Sequence, residues 1–206
     1  MDLLTIEKEY LTQGFEAVAG VDEVGRGPLA GPVVCAAVIL PLEEKKRIPG
    51  IDDSKKLSAK KRELLAEKIK ETARAFSICE VSAEEIDEIN ILQATRLCMK
   101  RAVESLGIPA DMVLTDGNMT LDIATPQKSI VKGDALVCSI GAASILAKVY
   151  RDALMKEYAK EFPEYGFERN AGYGTAAHVQ AIREHGICKI HRKTFVTKFW
   201  DGRVRT

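Results

Sequence analysis

Apolar positions along the chain fall into two periods, and the switches between them lay out the elements. Residues 4–14 have the pattern of a short amphipathic helix that stops at Gly14. Residues 15–22 and 33–40 are near-continuous apolar runs, which predict two buried strands. Between the runs stand three glycines and two prolines, too much punctuation for regular structure. Residues 42–57 form a polar connection containing "IDDSKKLS". Ser58 then caps an expected helix, "SAKKRELLAEKIKETA", with Leu64, Leu65, Ile69 and Ala73 at helical spacing.

Residues 74–81 predict another strand. Ser82 opens a helix, with Glu85 placed for a capping box. A longer helix is expected over about residues 91–106, carrying Leu92, Leu97, Val103 and Leu106 and ended by Gly107 and Pro109. "DMVLTDGN" and "KSIVKGDA" read as short strands ending in Asp116 and Asp134. Residues 136–158 return to helical spacing (Leu136, Ile140, Ala143, Ala147, Tyr150, Leu154, Tyr158), on a face of small residues that permits close packing on a sheet. Residues 163–174 are loop, and Thr175 caps a last clear helix to about His185. Strands first, then strands alternating with helices, predict an α/β domain with a mixed sheet flanked by helices. The division expected is a domain over residues 1–160 and a small helical, loop-rich C-terminal lobe over residues 161–206.

Composition narrows the class. The 206 residues are 46% hydrophobic and 29% charged, which suits one globular domain with a sizeable core. Lys and Arg number 30, matched by 30 Asp and Glu, so only the distribution of charge is informative. Residues 186–206 hold Lys189, Arg192, Lys193, Lys198, Arg203 and Arg205 against Asp201; this end is either a phosphate-contacting surface or a solvated tail. The five cysteines, Cys35, Cys79, Cys98, Cys138 and Cys188, form no CxxC or His–Cys cluster and read as reduced, buried thiols of a cytoplasmic protein. No signal-peptide pattern and no membrane-spanning run is present in the sequence.

The candidate chemistry lies at strand ends. Asp22 and Glu23 close an apolar strand, where unpaired carboxylates are costly. With Asp116 and Asp134 they make four acids at or next to the C-terminal ends of three expected strands, where α/β folds place their sites. Convergent carboxylates disfavour one another's ionisation, and a hard cation such as Mg²⁺ or Mn²⁺ removes that conflict. Two such ions can cleave a phosphodiester. Each acid also has a bland reading: Asp134 as a helix cap, Asp116 as a turn residue. Because adjacent strand residues face opposite ways, Asp22 and Glu23 share a site only if the chain bends after Glu23. The neighbouring "GRGPLAG" does not match a phosphate-binding P-loop. It allows close backbone approach to a ligand, with Arg26 supplying charge.

Taken in order, "AGVDEVGRGPLAGPVV", "DSKKLS", "EIDEINILQAT", "LTDGN", "IVKGDA", "GAASILAKVYRD", "GYGT" and "IHRKTF" resemble the bacterial type 2 ribonuclease H (ribonuclease HII) family over about residues 17–195. The resemblance implies a ribonuclease-H-like fold. It also implies endonucleolytic cleavage of RNA in RNA/DNA hybrids and on the 5′ side of single ribonucleotides in duplex DNA. The products would be 3′-hydroxyl and 5′-phosphate ends, and Mn²⁺ or Mg²⁺ would be required. The family's four catalytic acids fall on Asp22, Glu23, Asp116 and Asp134. Asp22 would bridge two metals, Glu23 and Asp116 would hold one, and Asp134 would help hold the other. Gly25, Arg26 and Gly27 match the element that senses the ribose 2′-hydroxyl, and Tyr173 the tyrosine that tests the sugar at the junction. Ser54, Lys55 and Lys56 are either phosphate contacts or a solvated loop, and His191 either touches substrate or packs. Asp152, roughly 24 Å along a continuous helix from Leu136, reads as helix surface. Partners would be hybrids and ribonucleotide-containing duplexes, with no membrane. The protein is expected to be a monomer, and no clear clamp-binding peptide is visible at either end. The rivals are a type 3 ribonuclease H, which usually has a long N-terminal domain, and a non-catalytic hybrid-binding module.

Overall fold

Seven residues of unbroken burial make β2 (Val33–Ile39) the middle of the protein, since both of its faces need cover. The computed structural model describes residues 4–41, 43, 46, 48–51 and 58–204. In it, β2 pairs antiparallel with β1 (Val18–Val24) and β3 (Ala75–Val81). On its other edge β1 pairs parallel with β4 (Met112–Asp116), which pairs parallel with β5 (Gln127–Ile130). The sheet is therefore mixed, in the order β3-β2-β1-β4-β5.

Alternation along the strands sends side chains to two covers. Val33, Cys35, Ala37 and Ile39 face α3 (Ala83–Glu104), with Ala19, Val21 and Val113. Val34, Ala36 and Val38 face α2 (Ala59–Thr72) and α5 (Cys138–Glu161). The α5 helix comes closest at Gly20, where a β-carbon would run into the Ser139–Ile140 backbone. Gly20→Ala is expected to cost at least about 2–3 kcal/mol, read as a lowered denaturation midpoint. Glu7 of α1 (Thr5–Thr12) accepts from the Ser139 amide and hydroxyl at 2.9 Å each, supplying negative charge at the start of α5.

The expected helices at Ser82 and Ile91 run together as α3 but are separated by a kink at Asn90 (φ 66°). The Ser82–Glu85 capping box is present, and the Asn90 side chain accepts from the Leu92 and Gln93 amides, capping the second half. Three expectations need correction. Asp134 does not end a strand: β5 stops at Ile130, Lys132 turns left-handed (φ 58°), and Asp134 lies in the short helix α4 (Gly133–Leu136). It caps neither helix, because the residues before α4 and α5 are Lys132 and the extended Val137. The buried stripe of α5 passes through Ile140, Ala143, Ala147 and Met155, leaving Tyr150 exposed.

Beyond α5, a 3-10 turn (Pro163–Tyr165), α6 (Phe167–Asn170), α7 (Ala176–His185) and α8 (Lys193–Val196) pack around Tyr165, Phe167, Ile182, Cys188 and Val196. Met155 of α5 and Ala30, from the loop after β1, share that cluster. Asp87 of α3 fastens this part to the sheet by accepting from the Lys193 and Thr194 amides at 2.7 and 3.0 Å. None of the described helices is long and apolar enough to cross a membrane.

Candidate metal and substrate site

The parallel register of β1 on β4, which pairs Val21 with Thr115, brings their two C-terminal ends side by side. Asp22 and Asp116 thus stand on neighbouring strands on the α5 face. Asp22 is 5% exposed. Burial holds its carboxyl well above the usual aspartate range, with the Glu23 and Asp116 charges adding to the effect. A hydrogen bond from Ser144 of α5 and the Glu23 amide, which donates to Asp22 Oδ1 at 2.8 Å, work the other way. Glu23 is also raised, chiefly by burial; Arg26 opposes this from 3.4 Å and Asp116 reinforces it. Asp134, 6% exposed, sets its amide 3.4 Å from Asp116 Oδ1. Strand pairing continues through Val24, and the bend expected after Glu23 comes at Gly25 (φ 93°); Glu23 still lies near enough for its charge to act on Asp22 and for the Asp116 charge to act on it.

These acids form an open set. Among the described residues no three His, Cys, Asp or Glu side chains close into a preformed metal cage. The donor chemistry nonetheless fits a hard divalent cation: the ligands are all oxygens, Asp22 and Asp134 are buried, and the charges on Asp22 and Glu23 are penalised where they stand. Mg²⁺ in particular binds through one or two carboxylates plus substrate phosphates and water, not through a complete protein cage.

The loop after β1 is held from beneath by two arginines, both 0% exposed: Arg151, for which the sequence alone suggests no role, and Arg192, which the sequence places on the basic C-terminal end. Arg192 donates to the carbonyls of Gly25 (2.5 Å), Arg26 (2.9 Å) and Gly31 (3.0 and 2.8 Å). Arg151 donates to Pro32 (3.0 Å), Ala30 (3.1 Å) and Ala171 (2.9 Å). In a trans peptide the carbonyl and the next N–H point opposite ways. With the Gly25 and Arg26 carbonyls turned onto Arg192, the amides of Arg26 and Gly27 face away from the buried guanidinium. Gly25 has no room for a side chain, since its β-carbon would meet Arg151 Nε.

Tyr173 completes the group. Its ring is 46% exposed, and Cε1 comes 3.7 Å from where a Gly27 β-carbon would stand. The structure thus brings Asp22, Glu23 and Asp116 together, adds Asp134 beside Asp116, and lays Gly25, Arg26, Gly27 and Tyr173 alongside. Ser54, Lys55 and Lys56 lie outside the described residues. Of the basic C-terminal end, Arg192 is internal, Lys189 pairs with Glu161 (2.6 Å) and Arg203 with Asp201 (2.7 Å), while Lys193 and Lys198 are exposed and Arg205 lies outside the described residues. Asp152 pairs with Lys148 at 2.7 Å on α5. His191 is 2% exposed and packs on Tyr165. One signal could have exposed Arg151 earlier: it interrupts the apolar stripe Ile140, Ala143, Ala147, Met155 at helical spacing.

A protein-family model described as ribonuclease HII matches residues 19–198. The ribonuclease HII of Chlorobium chlorochromatii is 55% identical over 192 residues, covering 91% of this chain and 93% of that one. Among solved structures, the ribonuclease H2 of Pyrococcus horikoshii superposes with a TM-score of 0.76 at 27% identity, over 89% of this chain and 97% of that one. A ribonuclease HIII solved with Mn²⁺ shares the fold (TM-score 0.66, 19% identity, 88% of this chain and 65% of that one).

Proposed function

The chain belongs to the ribonuclease HII family, and from that premise we propose that it cleaves duplexes at the 5′ side of single embedded ribonucleotides as well as within longer RNA/DNA hybrids. It is a ribonuclease H, a hydrolase acting on the RNA of RNA/DNA hybrids. Asp22, Glu23, Asp116 and Asp134 would hold Mn²⁺ or Mg²⁺. When bound, the ions supply an activated water and stabilise the leaving oxygen. The protein's own contribution is placement. Asp22, buried, and Glu23, partly buried, are both raised in proton affinity and present oxygen donors whose mutual repulsion a divalent cation would relieve. The outward amides of Arg26 and Gly27 and the Arg26 side chain bind the ribonucleotide's 2′-hydroxyl and adjoining phosphates. Tyr173 stacks on the sugar at the junction, which a 2′-hydroxyl on the wrong side would disturb. In this arrangement residues 1–160 are the catalytic domain and residues 161–206 the substrate-binding lobe. The observation that carries the reading is the conflict among buried carboxylates directly beside the clamped Gly25–Gly27 amides.

A duplex with one ribonucleotide, incubated with and without Mn²⁺ or Mg²⁺ and with its ends mapped, tests it. Expected are metal-dependent cuts leaving a 3′-hydroxyl and a 5′-phosphate immediately 5′ of the ribonucleotide; metal-independent cutting, or ends of the opposite polarity, would refute it. Tyr173→Ala is expected to lower cleavage at a lone ribonucleotide about tenfold or more, the size of one lost stacking contact. Because the ring is half exposed, the melting temperature should hardly move. A matching loss of stability would make Tyr173 a packing residue instead.

A further inference from the structure

Under Tyr173 lies a pair of buried histidines that the site described above does not use. His178 Nδ1 lies 2.9 Å from the Tyr173 carbonyl, and its Nε2 lies 3.0 Å from His191 Nε2. His191 Nδ1 in turn lies 3.0 Å from the Cys188 amide, which can only donate to it, and 3.2 Å from Cys188 Sγ. These partners leave one arrangement of protons. The Tyr173 carbonyl can only accept, so His178 carries its proton on Nδ1 and offers a lone pair at Nε2. His191 must therefore donate from Nε2, which leaves its Nδ1 to accept the Cys188 N–H. Every hydrogen bond is satisfied with both rings neutral, and protonating either ring breaks one. Burial draws both histidines down, His191 to about 3 with the neighbouring imidazole adding to the effect, so neutrality holds at physiological pH.

The rings cannot turn. His191 sits edge-on to Tyr165 (centroids 4.7 Å apart) and His178 edge-on to Phe167 (5.4 Å). The backbone of His191 pairs with Ala30, and the Leu29 amide donates to the Gly172 carbonyl at 2.8 Å. His191 therefore links both halves of the substrate platform: the loop after β1 through its backbone, the Tyr173 segment through His178. An apolar pair would fill the same space without burying four polar nitrogens; what the histidines add is direction.

We propose that His178 and His191 are positioning residues for Tyr173, their hydrogen-bond chain from Cys188 setting the Tyr173 ring against Gly27 and so setting the preference for a lone ribonucleotide over a continuous hybrid. The proposal rests on the reading of Tyr173 as the junction-sensing residue. Its readout is the ratio of kcat/KM on a single-ribonucleotide duplex to that on an all-RNA hybrid, measured for wild type, Tyr173→Ala, His178→Phe, His178→Asn and the double variant Tyr173→Ala/His178→Phe. His178→Phe is expected to lower the ratio about tenfold. His178→Asn, which keeps a donor for the Tyr173 carbonyl, recovers part of it. The double variant matches Tyr173→Ala alone, because both changes act through one ring. An unchanged ratio in His178→Phe, or losses that multiply in the double variant, overturns the proposal. An unchanged ratio in Tyr173→Ala overturns instead the reading beneath it. Should His178→Phe fail to fold, ¹⁵N spectra of the wild-type histidines decide the geometry. Opposite neutral tautomers, Nδ1–H on His178 and Nε2–H on His191, are expected at pH 7; the same tautomer on both removes the chain and the proposal with it.

Discussion

Asp22→Asn should abolish metal-dependent cleavage and yet make the metal-free protein more stable. The two effects have one cause. Asp22 holds its proton more tightly folded than unfolded, because burial, Glu23 and Asp116 all penalise its charge. A carboxyl whose folded pKa is raised destabilises the fold above that pKa, and the penalty disappears below the ordinary value near 3.9. At neutral pH Asp22 therefore works against folding, whether as a buried charge or as a proton that must be taken up, and the neutral, nearly isosteric amide removes the penalty. The melting temperature of the metal-free variant should rise by about 2–4 °C for each kcal/mol relieved. Divalent cations should raise the melting temperature of the wild type, which binds them in the folded state, and leave Asp22→Asn nearly unmoved. The comparison is best made between the two proteins at each pH, since the buried histidines act with the opposite sign: His191 and His178 lose stability as pH falls below about 6.5. Thermal melts with and without Mn²⁺, alongside a cleavage assay, check all of this. A destabilised Asp22→Asn, or one that still cuts, would remove Asp22 from the metal site.

The features legible in the sequence were those that break a pattern. Asp22 and Glu23 stood out because carboxylates do not belong at the end of an apolar run, and the strand that makes them conspicuous is the one observed. The Ser82–Glu85 box and the Thr175 cap were readable because a cap is a local contact within one turn. Asp134 was grouped with Asp116 for a partly wrong reason. It reaches Asp116 through a left-handed turn at Lys132, and nothing in "IVKGDA" marks a lysine for that conformation. Arg151 and Arg192 were missed for a different reason. A buried arginine is usually found through its carboxylate, and these two are satisfied mostly by carbonyls of residues 119 to 167 positions away in the sequence, a match that exists only once the chain has folded. The histidine chain is of the same kind. Its members are spaced for no metal, and their meaning lies in which atom of each ring faces which neighbour.

Arg192→Ala is expected to be the most damaging single change outside the acids. Three carbonyls, the buried ones of Gly25 and Gly31 and the part-buried one of Arg26, would lose a charged donor at once. Each orphaned group costs about 1–3 kcal/mol, so a loss of roughly 3 kcal/mol or more is expected. One term runs the other way: burial and the nearby Arg151 charge draw the pKa of Arg192 down to about 9, so deleting it relieves some repulsion. That relief does not offset three unsatisfied carbonyls, since the guanidinium stays charged at neutral pH and its bonds are charge-assisted. Arg192→Lys separates stability from positioning. An ammonium keeps the charge and can serve one or two of the carbonyls, recovering part of the denaturation midpoint, but it cannot reproduce the planar fork that spans Gly25 to Gly31. The Arg26 and Gly27 amides then lose their fixed outward orientation. Cleavage at a single ribonucleotide should stay at least about tenfold down even where the variant is fully folded. Urea titrations together with kinetics well below the midpoint distinguish the two contributions. An Arg192→Lys protein that cuts like the wild type would mean that charge alone, and not the fork, holds the loop in its working shape.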